Sequence, residues 1–368
     1  MRVLFAGGGT SGHLSPCLAV AGALTEEVPD AVAGFVVSKK PGEAQMVQGR
    51  GFEAFPISGS GMPYGLSLKA IGSFFRLAAG GMQALGIIKS FAPDAVFATG
   101  GFISAAVVPA AAIRGCPTMI HASDARPDRT NRLLSRWADR ISTVSAGAAE
   151  ILGDKAVVTG QPVRPEILQA DPHTARETLD IPDEAFVLLV TGGSQGAQRL
   201  NEATVAALPR LLSDPALHII HLTGRGKLPD REAIRRSGVP AGRYHVQQRR
   251  DDMATVLAAA DLILTRAGAS SLAEGAAWGR PMIVVPYPHA GGHQRYNAEI
   301  YEAAGAAIIV DDGDMNADEL ARIVPALKGD TEQYQAMAQA SAEIGSQNAA
   351  QRIVGYLMEL SSGVSSGR

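Results

Sequence analysis

Short apolar runs alternate with helical stretches along the whole chain, and halfway along the alternation starts again. In the first half the runs are "RVLFAG", "AVAGFVVS", "AVFATG", "TMIHAS", "RISTVS" and "AVVTG". They are rich in β-branched or small apolar residues and most end in Gly, Ser or Thr, as strands do. Helical patterns such as Pro16–Glu27 and Thr130–Ala138 lie between them. Strand–helix alternation implies a parallel, doubly wound sheet. A second series follows: "FVLLVTGG", "LHIIHLTG", "RYHVQQ", "DLILTRAG", "PMIVVPYP" and "AAIIVDD". Between the two series, "TGQPVRPEIL" (Thr159–Leu168) carries two prolines and suits a linker. With 368 residues, each half is long enough to bury its own core. The expectation is an α/β protein of two doubly wound, Rossmann-like domains facing a cleft. One spans residues 1–162 plus a C-terminal helical segment at 345–368, and the other spans 163–344. The last helical pattern, Ala349–Leu360, has no strand after it and is expected to cross back onto the first domain, with the tail "SSGVSSGR" disordered. In such sheets ligands bind beyond the carboxyl ends of the strands, so the loops that follow strands carry the functional expectation.

Composition removes several classes. Apolar residues make up 46% and charged residues 19%, the balance of a globular chain. A net charge of −3 argues against a general nucleic-acid binder, and no nucleic-acid partner is expected. Ala95–Ile113 is uncharged over 19 residues, enough to span a membrane. Gly100, Gly101, Ser104 and Pro109 interrupt it, and it reads as strand, turn and helix. The apolar run in "MRVLFAGGGTSGH" is too short for a signal peptide, which suggests a cytoplasmic protein. Cys17 and Cys116 have neither disulfide nor metal spacing and read as buried thiols. The histidines form no ligand-like cluster, and no metal or cofactor is expected. No Ser-His-Asp set, cysteine nucleophile or acidic pair stands at a strand end.

Three strands run into glycine loops that open helices. Gly7, Gly9 and Gly12 satisfy G-x-G-x-x-G, the dinucleotide fingerprint. The next strand, however, ends in Ser38, Lys39 and Lys40 and not in an acid that would hold a ribose, and His13 follows the last glycine. The other loops are "TGGFIS" (Thr99–Ser104) and "TGGSQGAQ" (Thr191–Gln198). Lacking Cβ, such loops let backbone N–H groups approach an anion while a helix N-terminus faces it. Three of them suggest a ligand, or two ligands, with several phosphates. "RAGASSLAEG" then places a single acid, Glu274, one turn into an otherwise small and apolar helix. It is either an exposed helix residue or a carboxylate that accepts from a ligand's vicinal hydroxyls. In "PYPHAGGHQRYNAEI", Gln294 and Asn297 are three apart on one helix face, near His289 and His293. Paired amides suit a sugar, and a polar surface turn is the alternative.

Taken together, "GGGTSGH", "ATGGFIS", "GQPVR", "TGGSQGA", "RAGASSLAE" and "PHAGGHQRYNA" resemble the MurG family in order and spacing, from about Met1 to Leu360. Members are the UDP-N-acetylglucosamine–undecaprenyl-diphospho-muramoyl-pentapeptide N-acetylglucosaminyltransferases of peptidoglycan synthesis. The resemblance implies a GT-B fold, with UDP-GlcNAc as donor and lipid I as acceptor. It implies that Glu274 binds the uridine ribose and that the backbone of Ala269, Ser270 and Ser271 contacts the nucleotide sugar. Gln294 and Asn297 would hold the GlcNAc hydroxyls, Ser194, Gln195 and Arg164 the donor diphosphate, and the backbone at Arg250 the uracil. Thr10, Ser11, Gly12 and Asn131 join the substrate contacts, and Gly9, Gly100, Gly101 and Ser104 form acceptor loops around His13.

The departures from the family pattern lie on the acceptor side. Where the family has His-Glu-Gln-Asn, this chain has His121, Ala122, Ser123 and Asp124, and a common tyrosine is Phe102. A UDP-sugar transferase with another acceptor is therefore the alternative reading. For the inverting transfer that the resemblance implies, His13 is the first choice of base and Asp124 the second. His13 could instead only bind phosphate or cap its helix. A membrane-bound acceptor requires docking on the cytoplasmic face. Leu66–Phe91 mixes Ile71, Phe74, Phe75 and Leu77 with Lys69, Arg76 and Lys89, as either an interfacial surface or an ordinary core helix.

Overall fold

The computed structural model describes the chain except for residues 10, 60–67, 194, 231, 233, 235–237, 251, 290–291, 346–347 and 366–368. It divides into two units, Met1–Arg164 with Asn348–Arg368, and Pro165–Gln347.

The first unit is built on a parallel sheet of β1 (Arg2–Ala6), β2 (Val32–Ser38), β3 (Glu53–Ile57), β4 (Ala95–Ala98), β5 (Thr118–Ala122), β6 (Arg140–Thr143) and β7 (Ala156–Val158). Its order is β3-β2-β1-β4-β5-β6-β7. The interior strands are continuous apolar runs because helices cover both faces, as in all-parallel sheets generally. On one face Phe5 stacks on Phe35 at 5.0 Å between ring centroids and meets Phe97 edge-on at 5.8 Å. Helices Ser11–Glu27 and Ala349–Ser365 close over this face through Leu14, Leu18, Ile353 and Leu357. Arg352 also donates to the carbonyl of Val158 at 2.7 Å. Helices Leu68–Phe91 and Gly101–Ile113 cover the other face.

The second unit holds β8 (Phe186–Thr191), β9 (Leu217–Leu222), β10 (Tyr244–Gln247), β11 (Leu262–Thr265), β12 (Met282–Val284) and β13 (Ala307–Ile309). The order is β10-β9-β8-β11-β12-β13, again parallel throughout.

Several boundaries differ from the sequence reading. Strand β3 was missed: "EAFPI" carries Pro56 and is only partly buried, which the edge of a sheet tolerates and its centre does not. The first helix begins at Ser11, not Pro16, so His13 lies in its first turn. The helix expected over Thr130–Ala138 is Arg129–Leu134, started by Asp128, whose side chain accepts from the Asn131 N–H at 2.6 Å. The tail expected to be disordered continues the last helix as far as Ser365.

Each sheet has one point where the chain reverses its direction of travel. In the first unit it lies between β1 and β4, and in the second between β8 and β11. Ligands of open α/β sheets bind at such points.

Candidate functional site

In the first unit the switch point is flanked by the loop after β1 and the loop after β4, and His13 joins them. Its Nδ1 lies 2.9 Å from the Thr99 carbonyl, and Thr99 Oγ1 donates to the His13 carbonyl at 2.7 Å. A carbonyl can only accept, so Nδ1 carries the proton and Nε2 of the neutral ring is left as an acceptor. The ring lies against Gly101, where a Cβ would come within 3.2 Å of Nε2. Gly101 has φ +72° and Gly100 φ +91°, both left-handed. Against Gly100 lies Asn131, which is buried, and its Oδ1 has no hydrogen-bond partner. Buried polar atoms are almost always paired, so this orphan beside the switch point makes Asn131 a candidate ligand contact.

The loop after β1 is less open to an anion than its glycines suggest. The Gly9 N–H donates to Glu43 Oε1 at 2.8 Å, and the Gly7 N–H reaches Val36 O at 3.4 Å. A Cβ at Gly7 would stand 2.6 Å from Cys17 Sγ, and one at Gly9 2.5 Å from Phe102. These glycines answer to packing, and the first-turn amides of helix Ser11–Glu27 remain as the candidate groups for an anion. Burial pushes the Cys17 thiol up to about 12, so it is inert behind the loop. Ser104 does not offer its hydroxyl to a ligand: it is buried and its Oγ donates to Ala6 O at 3.1 Å. Burial also holds His121 neutral, pushed down to about 4, between Ser142 Oγ at 2.7 Å and Gln161 Oε1 at 2.8 Å. It braces strands rather than serving as a base. Asp124 is half-buried on the segment after β5.

In the second unit, helix Ala269–Ala277 starts beyond β11 at the switch point. Glu274 is buried, at 9% exposure, which removes the reading of it as an exposed helix residue. Ala269, Ser270 and Ser271 form the half-buried first turn. Asn297 Nδ2 donates to the Ala267 carbonyl at 3.1 Å, and Gln294 Oε1 accepts from the Tyr287 N–H at 3.0 Å. The two amides thus fasten helix His293–Ala303 to the loops after β11 and β12.

Two groups here escaped the sequence reading. Arg266, 9% exposed, donates to Val285 O at 3.1 Å and pairs with Asp312 at 2.5 Å, tying three strand ends together. The loop after β9 packs so closely on the loop after β8 that a Cβ at Gly196 would stand 2.0 Å from Thr223 O. Gln195 is exposed on that loop. Arg250 is half-buried with its Nη2 3.8 Å from Asp252, and Arg164 is half-buried where the first unit ends. Thr10 and Ser194 lie outside the described residues, and Ser11 and Gly12 open the first helix.

The sequence matches two family models. The glycosyltransferase family 28 N-terminal domain covers residues 3–143 and the C-terminal domain residues 187–353. A protein of Desulforudis audaxviator named UDP-N-acetylglucosamine--N-acetylmuramyl-(pentapeptide) pyrophosphoryl-undecaprenol N-acetylglucosamine transferase is 38% identical, covering 98% of both chains. One of the same name from Clostridioides difficile is 35% identical over 98% of this chain and 89% of its own. Among solved structures, MurG of Acinetobacter baumannii superposes with a TM-score of 0.74 at 27% identity, covering 97% of this chain and 99% of that one. A UDP-GlcNAc 2-epimerase from Neisseria meningitidis, at 18% identity, TM-score 0.71 and coverage of 98% and 100%, shares the fold alone.

Proposed function

The chain belongs to the MurG family of glycosyltransferase family 28, and from that premise we propose that it transfers GlcNAc from UDP-GlcNAc to the muramoyl 4-hydroxyl of lipid I, giving lipid II. It is a hexosyltransferase of GT-B fold, with its two doubly wound units in separate roles. The second unit holds the donor: Glu274 accepts from the ribose hydroxyls, Gln294 and Asn297 face the sugar, and the backbone of the helix start at Ala269–Ser271 contacts the nucleotide sugar. The first unit receives the acceptor. The observation that carries the chemistry is the Nδ1–H of His13 on the Thr99 carbonyl, because it presents Nε2 as a base at that unit's switch point.

The reaction is a single displacement. The 4-oxygen attacks the anomeric carbon, the bond to the UDP oxygen breaks, and the hydroxyl proton passes to His13 Nε2. Charge developing on UDP is met by Arg164 and the backbone amides of the loop after β8, which carries Gln195. UDP release from UDP-GlcNAc, measured with and without a lipid I analogue, tests the reading. Release that ignores the acceptor would end it. Replacing His13 by Ala should cut turnover by at least about 100-fold, and a smaller loss passes the role to Asp124. The run His121-Ala122-Ser123-Asp124 and Phe102 favour one second reading, a different glycolipid acceptor, which an acceptor panel separates from the first.

The enzyme reaches its lipid substrate from the cytoplasmic face of the membrane. Among the described residues no helix is long and apolar enough to cross a membrane. Helix Leu68–Phe91 exposes Phe75 (66%) and Met82 (76%) beside Arg76, while Leu77 packs on the core. Elsewhere in the first unit Ile113 is exposed at the end of helix Gly101–Ile113, Leu133 within helix Arg129–Leu134 and Trp137 in the turn that follows it, with Arg136 over the Trp137 ring at 5.4 Å. Apolar tips among cations suit an anionic interface. Leu66, and the side chains of Lys69, Ile71 and Phe74, lie outside the described residues.

A further inference from the structure

The run Ser38, Lys39, Lys40 at the end of β2 has no part in the chemistry above, yet the structure gives it and Glu43 a definite task. Glu43 opens the short helix Glu43–Gln48. Its Oε1 accepts from the Gly9 N–H at 2.8 Å. Its Oε2 accepts from the Ser38 N–H at 3.0 Å and from Ser38 Oγ at 2.7 Å. Lys40 Nζ donates to the Gly9 carbonyl at 2.5 Å, and the Lys40 N–H donates to Ser38 Oγ at 3.2 Å. Phe102 closes off the Cα side of Gly9. Gly9 is therefore held at its N–H, its carbonyl and its Cα, in a left-handed conformation of φ +89°. Four residues later stands His13.

We propose that Glu43 is a positioning residue for transfer: with Lys40 it clips the loop after β1 into the shape that sets the first turn of helix Ser11–Glu27, and so His13, against the acceptor. The side chain must be a carboxylate of this length. Two oxygens are needed to bridge Gly9 to Ser38, and a carboxamide has only one acceptor oxygen. Aspartate falls short by one methylene, about 1.5 Å. The charge is balanced locally, since the Lys40 ammonium sits on the other side of the same residue. The clip thus adds no net repulsion where a phosphate-bearing acceptor must approach.

The proposal rests on the transferase reading, and its test separates the two. Steady-state transfer to a lipid I analogue is measured for the wild type and for Glu43→Ala, Glu43→Gln and Glu43→Asp, together with amide hydrogen exchange across Gly7–His13. Glu43→Ala should lose about 10- to 100-fold in kcat, as a small misplacement of a catalytic group does, with KM for UDP-GlcNAc unchanged. Glu43→Gln should retain more activity than Glu43→Ala, and Glu43→Asp should resemble Glu43→Ala. Exchange at Gly9 should quicken at least about tenfold while β1 stays protected. Glu43→Ala turnover within twofold of wild type, or unaltered Gly9 exchange, overturns the proposal. A loss accompanied by quickened exchange throughout β1 and β4 also overturns it, as the mark of general unfolding. A wild type that transfers nothing ends the transferase reading instead, and exchange at Gly9 still decides whether Glu43 holds the loop.

Discussion

Gly101→Ala isolates the contact that holds the proposed base, His13. The new Cβ would stand 3.1 Å from His13 Cδ2 and 3.2 Å from Nε2. Ordinary carbon contacts lie at about 3.5–4.0 Å, so the imidazole must withdraw by about 0.3–0.9 Å. Misplacing a reacting group by about 1 Å costs up to about 100-fold, so kcat should fall by about 10- to 100-fold. The substitution also forces a side chain into left-handed backbone at φ +72°, at about 1–2 kcal/mol. In a domain of this size each kcal/mol lowers Tm by about 2–4 °C. Gly115→Ala supplies the control. Gly115 has φ +64°, and nothing lies within 4 Å of its Cβ position. It carries the same backbone penalty without touching the ring. UDP release with saturating acceptor and thermal unfolding, run on both variants, should show similar Tm losses and a kcat loss confined to Gly101→Ala. Equal kcat in the two variants would refute the placement of the ring as the source of turnover.

Other outcomes follow from the same geometry. His121 and His221 are both pushed down to about 4 by burial, from an ordinary 6.5. The unfolded chain therefore takes up protons that the folded one refuses between those values. Stability is complete above about pH 6.5 and falls toward pH 4, by up to about 3 kcal/mol for each histidine. Urea midpoints at pH 7 and pH 5 check this, and a flat profile would contradict it. Glu274→Ala should weaken UDP binding by calorimetry about 10- to 100-fold, the worth of a hydrogen-bonded charge. Unaltered affinity would remove Glu274 from the ribose site. A Phe75→Asp/Met82→Asp double variant should sediment less with anionic vesicles while keeping turnover on a soluble acceptor, and undiminished binding would move the docking surface elsewhere.

The strands were legible because parallel sheets covered on both faces demand unbroken apolar runs, and such runs have few other uses. Strand β3 was not, because an edge strand needs neither continuous burial nor every N–H, so Pro56 and Glu53 hide it. Pro16 misled for a related reason. Proline favours a helix start, yet here it lies inside the helix, one turn after His13. In the site, Glu274 stood out because a carboxylate among small apolar residues is expensive to bury without purpose. Arg266 was hidden among ordinary strand-end residues, since its partners Val285 and Asp312 are distant in the chain. Glu43 was invisible for the same reason, standing 34 positions beyond Gly9 in the chain.

The first glycine loop shows how a motif can be matched for reasons other than the usual ones. G-x-G-x-x-G is read as backbone laid bare to a pyrophosphate. Here Gly7 is glycine because Cys17 leaves no room, and Gly8 because the Glu43 carboxylate would stand 2.7 Å from its Cβ. Gly9 is glycine because its backbone is left-handed and pressed on Phe102. Each of these demands comes from the protein itself and would exist with no ligand bound. Two acids occur in the two units in opposite senses: Glu43 occupies a loop amide and shapes it, whereas Glu274 is buried beside a helix start with a sugar nucleotide as its proposed partner. A nucleotide placed on the first loop would have to displace a carboxylate that already accepts three hydrogen bonds. That is a physical argument for the proposal that the second unit binds the donor and that the first loop serves the acceptor through the first turn of its helix.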